Sequence, residues 1–390
     1  MVLGKRFRSI VIPLGIIIIL DLAGAQIAKR TFPYWAYGEP ANKYRVFSEV
    51  YNHDLAPNKD VVAKFGPRLY RIKTNSLGFK DQENRKIPLQ TPFPRILLMG
   101  DSFTEGAGVE FQSTFAGQLA KRFAENGIDL LNAGVSAYSP SIYFTKIRYL
   151  LDNVGLKVDE VIVFIDISDI WEEVYYWVFR SDGTVASRQV HNPEGISRLK
   201  DFRHFLRDNS ILFNLGYRVR DLIQFYLNYV KMKMQDGPFQ VKFGENFDPI
   251  EAKMINFEKG RWTFDEKEYA RYGERGFAKA SRIMEELSTL LRQKGIGLTI
   301  AVYPWPAQIM AENRESRQVH FWRDWCNQEG CRFVNLFPAF IGEGRAAKTV
   351  LKEDFIPGDI HWSEAGHRRV AETFWELAGM DLINGLSGSR

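Results

Sequence analysis

Residues 96–106 read ILLMGDSFTEG, and this stretch decides the class of fold that the chain can adopt. An apolar run typical of a buried strand ends at Gly100, and Ser102 follows in a turn rich in glycine, aspartate and threonine. A buried strand that delivers a hydroxyl group to its carboxyl end is the usual way in which an open α/β sheet presents a nucleophile. Ser102 could equally cap the helix that follows, so this stretch alone leaves a catalytic and a structural interpretation open.

Short apolar strands alternate with helical patterns along most of the remaining chain. Strands are predicted at 95–99, 129–132, 160–167, 297–302 and 332–336. Helices are predicted at 114–126, 141–152, 276–294, 314–328 and 363–378. This alternation predicts an α/β fold in which a parallel sheet is covered by helices on both faces. Ligands bind beyond the carboxyl ends of such strands, and Ser102, Gly134 and Ser168 each follow a predicted strand.

A second motif lies 259 residues after Ser102, where residues 357–363 read PGDIHWS. In an extended segment, the side chains of Asp359 and His361 would leave the same face. The carboxylate can then fix the tautomer of the imidazole and stabilise the cation that forms during proton transfer. A lone histidine is usually structural, but this pair, in a chain with a serine at a strand end, predicts a Ser–His–Asp triad.

The two motifs, GDS at 100–102 and DIH at 359–361, together resemble those of the SGNH, or GDSL-type, hydrolase superfamily. The resemblance implies a three-layer α/β/α sandwich with a flavodoxin-like parallel sheet. It also implies that Ser102 is the nucleophile, that His361 is the base and that Asp359 orients it. No cofactor and no metal is expected.

The oxyanion hole is the part in which the chain departs from the family. Residues 132–134 read NAG and are similar to the second block of the family, whose glycine, here Gly134, helps to bind the oxyanion. The third block usually reads Gly-x-Asn-Asp, whereas residues 166–169 read DISD and put Ser168 in place of asparagine. The expected hole therefore combines the amides of Ser102 and Gly134 with the hydroxyl of Ser168.

The spacing of the last motif bears on the reaction. Many family members have Asp-x-x-His, and the shorter Asp-x-His-Trp at 359–362 is similar to that of alginate-type polysaccharide O-acetyltransferases. The resemblance implies an esterase or O-acyltransferase acting on acyl, chiefly acetyl, esters of envelope or exopolysaccharide carbohydrate. Two alternatives stay open. One is a glycan-binding or assembly protein that retains the fold without catalysis, and the other is a lipid esterase.

The composition of the chain limits the classes of partner that are expected to bind it. The 390 residues include 52 basic and 47 acidic ones, and no Lys/Arg-rich run marks a nucleic-acid footprint, so no nucleic-acid partner is expected. Cys326 and Cys331 are the two cysteines. They are either a disulfide or two reduced thiols, and their spacing does not indicate a metal site. The oligomeric state does not follow from composition.

Residues 1–25 have the organisation of a secretory signal. Three basic residues precede the apolar run 10–20, and Ala-Gly-Ala follows at 23–25. Read through to residue 25, the segment is also a short membrane anchor, and a buried core helix is the third interpretation. The first two predict export to the periplasm or the cell exterior, and the anchor predicts membrane association through the N-terminus.

Three further regions complete the predicted organisation. Residues 26–94 form an aromatic and polar lead-in arm with one or two short strands, which packs against the domain or walls its cleft. Residues 95–390 form the SGNH-like domain. Within it, residues 171–275 form a cap inserted between the third and fourth strands, with polar turns near Gly237 and Gly244. The aromatic residues of the cap fit a glycan or a plain core, and its helical part fits a membrane surface.

Overall fold

The computed structural model describes residues 2–31, 43–66, 68–188, 202–203, 205–206, 209–234, 248–255, 257–342 and 344–388. The turns predicted near Gly237 and Gly244 lie outside these residues.

Twelve strands occur in the described part of the chain. They are β1 Arg45–Ser48, β2 Asn52–Leu55, β3 Asp60–Phe65, β4 Arg68–Thr74, β5 Lys80–Asp81, β6 Arg95–Gly100, β7 Asp129–Asn132, β8 Glu160–Ile165, β9 Trp177–Phe179, β10 Val185–Ser187, β11 Gly297–Val302 and β12 Arg332–Asn335. Eight of them form one sheet in the order β12-β11-β8-β6-β7-β5-β4-β3, while β1 pairs with β2 and β9 with β10.

The five strands predicted from the sequence form the parallel part of the sheet. Numbered by their position in the chain, they lie in the order 5-4-3-1-2, which is the flavodoxin-like order. Every residue of β6 and β8 is buried, so both faces of the sheet are covered, as predominantly apolar central strands require. The predicted α/β fold is confirmed. Its topological switch point lies between β6 and β8, and Ser102 directly follows β6.

Helices form the outer layers. They are α1 Val2–Thr31, α2 Ser102–Glu105, α3 Phe115–Ala124, α4 Pro140–Tyr149, α5 Asp169–Tyr175, α6 Ile211–Met234, α7 Pro249–Ile255, α8 Glu266–Glu268, α9 Glu274–Gln293, α10 Pro306–Met310, α11 Arg317–Glu329, α12 Phe337–Phe340, α13 Ala347–Asp354, α14 Glu364–Phe374 and α15 Met380–Gly388. Helices α3, α13 and α14 form one packed group, and α4, α5, α9 and α11 form another. Within the described ranges, no helix combines the length and apolar content needed to cross a bilayer.

The arm differs from its prediction. Five strands replace the expected one or two, and β3, β4 and β5 extend the central sheet as antiparallel strands. The junction is a single pair, Lys80 of β5 opposite Asn132 of β7. β5 has only two residues and shows no alternating pattern, so its place in the sheet depends on the edge of β7 with which it pairs.

A buried ion pair also joins the arm to the domain. Lys146 of α4 and Asp54 of β2 are 2.8 Å apart, and their side chains are 0% and 7% exposed. At the other side of the domain, the structure joins Cys326 and Cys331 in a disulfide, one of the two states that the sequence left open.

Candidate active site

The turn between β6 and α2 presents Ser102. Asp101 is the N-cap of α2, and its Oδ1 accepts a hydrogen bond from the Phe103 amide at 2.9 Å. A side chain at Gly100 would put its Cβ 2.2 Å from Thr104 Oγ1, so only glycine allows α2 to fold back onto the strand. Because Asp101 takes the capping role, the Ser102 hydroxyl is not needed for it.

The structure brings Ser102, His361 and Asp359 together. His361 Nε2 lies 2.8 Å from Ser102 Oγ, and His361 Nδ1 lies 2.5 Å from Asp359 Oδ1. These distances allow the imidazole to accept the hydroxyl proton at one nitrogen while its other nitrogen donates to the carboxylate. The side chains of His361 and Asp359 are 14% and 30% exposed, so the pair lies at the rim of the domain.

The Asp359–His361 pair lies in a tight turn and not in the extended segment that the sequence predicted. The turn is closed by the Ile356 amide, which donates to the His361 carbonyl at 2.8 Å, and it includes Gly358 at φ +73°. Asp359 Oδ1 accepts from both the backbone amide and the ring of His361, as Asp side chains do in turns. Burial raises the pKa of Asp359, but the hydrogen bond and charge of His361 outweigh it, and the net shift is downward. The carboxylate is therefore ionised at neutral pH.

Two aromatic rings hold the imidazole of His361. Phe103 of α2 stacks on it with ring centroids 4.7 Å apart, and Phe65 of β3 meets it edge-on at 4.9 Å. Phe65 belongs to the arm, so the arm forms one wall beside the base. Packing on both sides restricts the rotamers of His361 and preserves the contact with Ser102.

The oxyanion donors expected from the sequence are placed less favourably. The Ser102 amide is the first of α2 and has no acceptor within the helix. The Gly134 amide donates to Asn132 Oδ1 at 3.1 Å, so it is committed to its own loop. The Ser168 hydroxyl is 3.5 Å from Glu172 Oε1, and Ser168 is buried. Of the three expected donors, the Ser102 amide is thus the one whose position allows it to donate to a substrate oxyanion.

Ala137, in the loop after β7, is a residue that sequence reasoning missed. It has φ +65°, which is uncommon for a residue with a Cβ atom, and such strained positions cluster at functional sites. The preceding Ser136 donates from its amide and hydroxyl to Glu105 of α2, at 2.7 and 2.6 Å. This loop is therefore attached to the helix that carries Ser102. Alanine gives no sequence signal for a left-handed conformation, so nothing in the sequence distinguishes Ala137.

Buried carboxylates underlie the turn that carries Ser102. Burial and the negative charge of Asp166 raise the pKa of Asp101 and of Asp169 well above the usual range. Asp166 itself accepts from the Trp305 indole at 2.7 Å, and Tyr303 OH lies 3.3 Å from Asp101 Oδ1. Trp305 and Tyr303 are buried, so they pack beneath the surface against the turn that carries Ser102 and do not border the cleft. Asp166 and Asp169 are fully buried, which favours a structural role for both carboxylates.

Part of the inserted cap lies beside the triad. Ile250 of α7 has its Cγ2 atom 3.8 Å from where a Cβ of Gly358 would stand, next to Asp359. The positive charge of Lys253 on the same helix also lowers the pKa of Asp359. Phe257 packs edge-on against Trp305. Helix α7 therefore forms a second wall of the cleft.

An ion pair links the arm to α2. Arg45 of β1 contacts Glu105 at 2.7 Å, and the Glu105 side chain is fully buried. Burial raises the pKa of Glu105, but Arg45 and the hydrogen bonds of Ser136 lower it more strongly, to about 2. Since Glu105 is three residues from Ser102, this contact holds the helix that carries the nucleophile.

The ion pair between Arg45 and Glu105 makes the free energy of unfolding depend on pH. The folded pKa of about 2 lies below the ordinary glutamate value of 4.5, so the stabilisation is present above about pH 4.5 and is lost as the pH falls towards 2. The shift corresponds to about 3 kcal/mol. We expect Glu105→Gln to flatten this part of the curve of unfolding free energy against pH, measured by urea denaturation. Glu110→Gln, at an exposed position, is the matched control, and an equal acid loss in wild type and Glu105→Gln would contradict the assignment.

No family model and no curated protein matches this chain. Several solved structures are similar to it. LAE5, an alpha/beta hydrolase enzyme from the metagenome of Lake Arreo in Spain, is 15% identical over 75% of this chain and 97% of its own, with a TM-score of 0.37. Axe2, an acetylxylan esterase from Geobacillus stearothermophilus, is 14% identical over 75% of this chain and 97% of its own, with a TM-score of 0.36.

TesA is 11% identical over 73% of this chain and 97% of its own, with a TM-score of 0.36. Similarities of this size do not bear on the activity of the chain. Its fold class rests on its own strand order and connections.

Proposed function

We propose that this chain is an exported serine esterase or O-acyltransferase of the SGNH type. Its substrates are acyl, chiefly acetyl, esters of envelope or exopolysaccharide carbohydrate. The observation that carries the proposal is the contact of His361 with Ser102 at 2.8 Å and with Asp359 at 2.5 Å. Ser102 is 259 residues from His361 in the chain. The order of nucleophile, base and orienting carboxylate is the one that acyl transfer requires.

The reaction begins with attack of Ser102 Oγ on the ester carbonyl carbon, while its proton moves to His361 Nε2. Asp359 stabilises the resulting imidazolium through Nδ1. The tetrahedral intermediate then collapses: the bond to the alcohol oxygen breaks, and that oxygen takes the proton from Nε2. The product is an acyl group bound to Ser102 Oγ and a free alcohol.

The second half of the reaction decides the class of enzyme. Water or a sugar hydroxyl attacks the acyl carbon while its proton moves to His361 Nε2. The bond between the acyl carbon and Ser102 Oγ then breaks, and Oγ takes the proton from Nε2. Attack by water makes the protein an esterase, and attack by a sugar hydroxyl makes it a transferase.

Export is supported by the basic and apolar residues 1–25, and a carbohydrate substrate is supported by the resemblance of the Asp-x-His-Trp motif.

The proposal is tested by trapping the acyl-enzyme. Full-length protein is mixed with p-nitrophenyl acetate, quenched in acid and digested, and we expect acetylation of the peptide that contains Ser102. His361→Ala should abolish the label, whereas His320→Ala, at a side chain 53% exposed, should not. Adding a sugar acceptor distinguishes the two fates, because transfer gives an acetylated sugar and hydrolysis gives acetate. Equal labelling in wild type and His361→Ala, or none in either, would overturn the proposal.

A further inference from the structure

Two helices carry most of the large apolar side chains that are exposed in the described residues. On α1 and α6 these side chains are between 47% and 66% exposed, in contrast to the fully buried strands β6 and β8. They are Ile12, Leu14, Ile16, Ile17, Ile18, Ile19, Leu20 and Ile27 on α1, and Leu212, Leu215, Val219, Leu222, Ile223, Tyr226, Leu227 and Val230 on α6. A soluble domain rarely exposes so many neighbouring apolar groups without a partner.

The two helices form one unit. Asp21 of α1 caps the start of α6, since its Oδ1 accepts from the Leu212 amide at 2.9 Å. Gln26 of α1 donates to Asn209 at 2.8 Å, and Ala25 is buried at 3% exposure in the same region. Asp21, which interrupts the apolar run of α1, thus has a specific use in holding α6. These contacts attach α1 to the start of α6.

The apolar residues on α6 follow a helical period. Leu212, Leu215, Val219, Leu222 and Val230 recur at intervals of three or four, or their sums, and so lie on one stripe. An amphipathic helix of this kind normally turns its apolar stripe to a core. Here each of these side chains remains about half exposed or more, so the stripe lacks a cover within the described protein.

The charge of α1 and α6 indicates what kind of surface contacts their exposed apolar side chains. Helices α1 and α6 contain nine basic residues (Lys5, Arg6, Arg8, Lys29, Arg30, Arg218, Arg220, Lys231 and Lys233) and two acidic ones, Asp21 and Asp221. Their formal charge is therefore +7, whereas the whole chain has +5, so the remaining residues have −2. A second copy of so basic a pair would be repelled, while an anionic surface would be attracted.

We propose that α1 and α6 together dock the protein on an anionic lipid bilayer. The exposed apolar side chains enter the acyl-chain boundary, and the net positive charge of the two helices attracts the anionic headgroups. Helix α6 takes part directly, in addition to the N-terminal segment. This inference does not depend on the proposed function.

Docking of this pair also positions the cleft. Helix α6 packs against α7, and Ile250 of α7 lies beside Gly358, next to Asp359. One short helix thus separates the lipid-facing pair from the triad. The cleft is thereby held close to the membrane surface.

The test places a polarity-sensitive fluorophore on α6 of the full-length protein, at Leu222→Cys. With vesicles of phosphatidylglycerol and phosphatidylcholine, we expect a blue shift and a several-fold increase in emission. Vesicles of phosphatidylcholine alone should have a much smaller effect. The matched control is Leu377→Cys, since Leu377 is 53% exposed but lies outside both helices. It should show no change.

Three outcomes would overturn the proposal. One is protein that floats with the vesicles while the fluorophore at position 222 stays in water, which would mean that α1 binds alone. Another is a spectral change that depends on protein concentration and not on lipid, which would assign the stripe to a second copy. The third is binding that ignores lipid charge. Leu215→Asp combined with Leu222→Asp gives an independent measurement, and we expect vesicle partitioning to fall at least about tenfold relative to Leu377→Asp.

Discussion

Replacing Ser102 by alanine is expected to lower kcat for p-nitrophenyl acetate by about 10⁴- to 10⁶-fold. The hydroxyl oxygen of Ser102 lies 2.8 Å from His361 Nε2, and the acyl-enzyme cannot form without it. Stability should change little, because Asp101 and not Ser102 caps α2. The measurement is steady-state hydrolysis together with urea denaturation, so that loss of activity is separated from loss of fold.

The matched control is Ser281→Ala on α9, where the serine hydroxyl is exposed. It should keep the wild-type rate. If Ser102→Ala retains a substantial part of the wild-type rate while folded, the nucleophile has been misassigned. The non-catalytic, glycan-binding alternative would instead predict that wild type, Ser102→Ala and Ser281→Ala have the same background rate.

Replacing Asp359 by asparagine is the second large effect, with an expected fall in kcat of about 10³- to 10⁴-fold. His361 Nδ1 donates to the carboxylate at 2.5 Å, which leaves Nε2 free to accept the proton of Ser102. An amide group can present its own hydrogen to Nδ1, which favours the opposite tautomer and blocks Nε2. The KM for the ester should change much less, because Asp359 acts through His361.

Asp324→Asn, at an exposed position on α11, is the control for this substitution. The combination of Ser102→Ala and Asp359→Asn should be no slower than Ser102→Ala alone, because the three residues act as a unit. Additive losses would show that Asp359 contributes independently of the triad, and wild-type turnover in Asp359→Asn would remove it from the site.

Much of the central sheet could be predicted because its strands are buried on both faces. β6 and β8 each contain an apolar run after one charged residue, and such runs can be recognised in the sequence without knowledge of the pairing strands. The arm strand β5 consists of Lys80 and Asp81, whose place depends on a single pairing with β7. No local pattern of two residues can reveal an edge pairing, so the extension of the sheet was missed.

Some features of the candidate site could also be predicted from the sequence, and others could not. Ser102 and the Asp359–His361 pair have recognisable local surroundings, and their catalytic roles remain predictions until the variants are measured. The Gly134 amide was expected to face the substrate, but Asn132 accepts its hydrogen two residues away. The left-handed backbone of Ala137 likewise depends on the loop held by Ser136 and Glu105.

What the sequence determined by itself was the α/β class and the presence of a serine turn and an Asp-x-His motif, because these follow from local patterns of residue type. Only the tertiary structure decided that Phe65 and Arg45 of the arm support His361 and the helix of Ser102. It alone also decided that the Gly134 amide is occupied. The physical reason is that these contacts join residues far apart in the chain, and their energies depend on burial and distance, which exist only once the chain has folded.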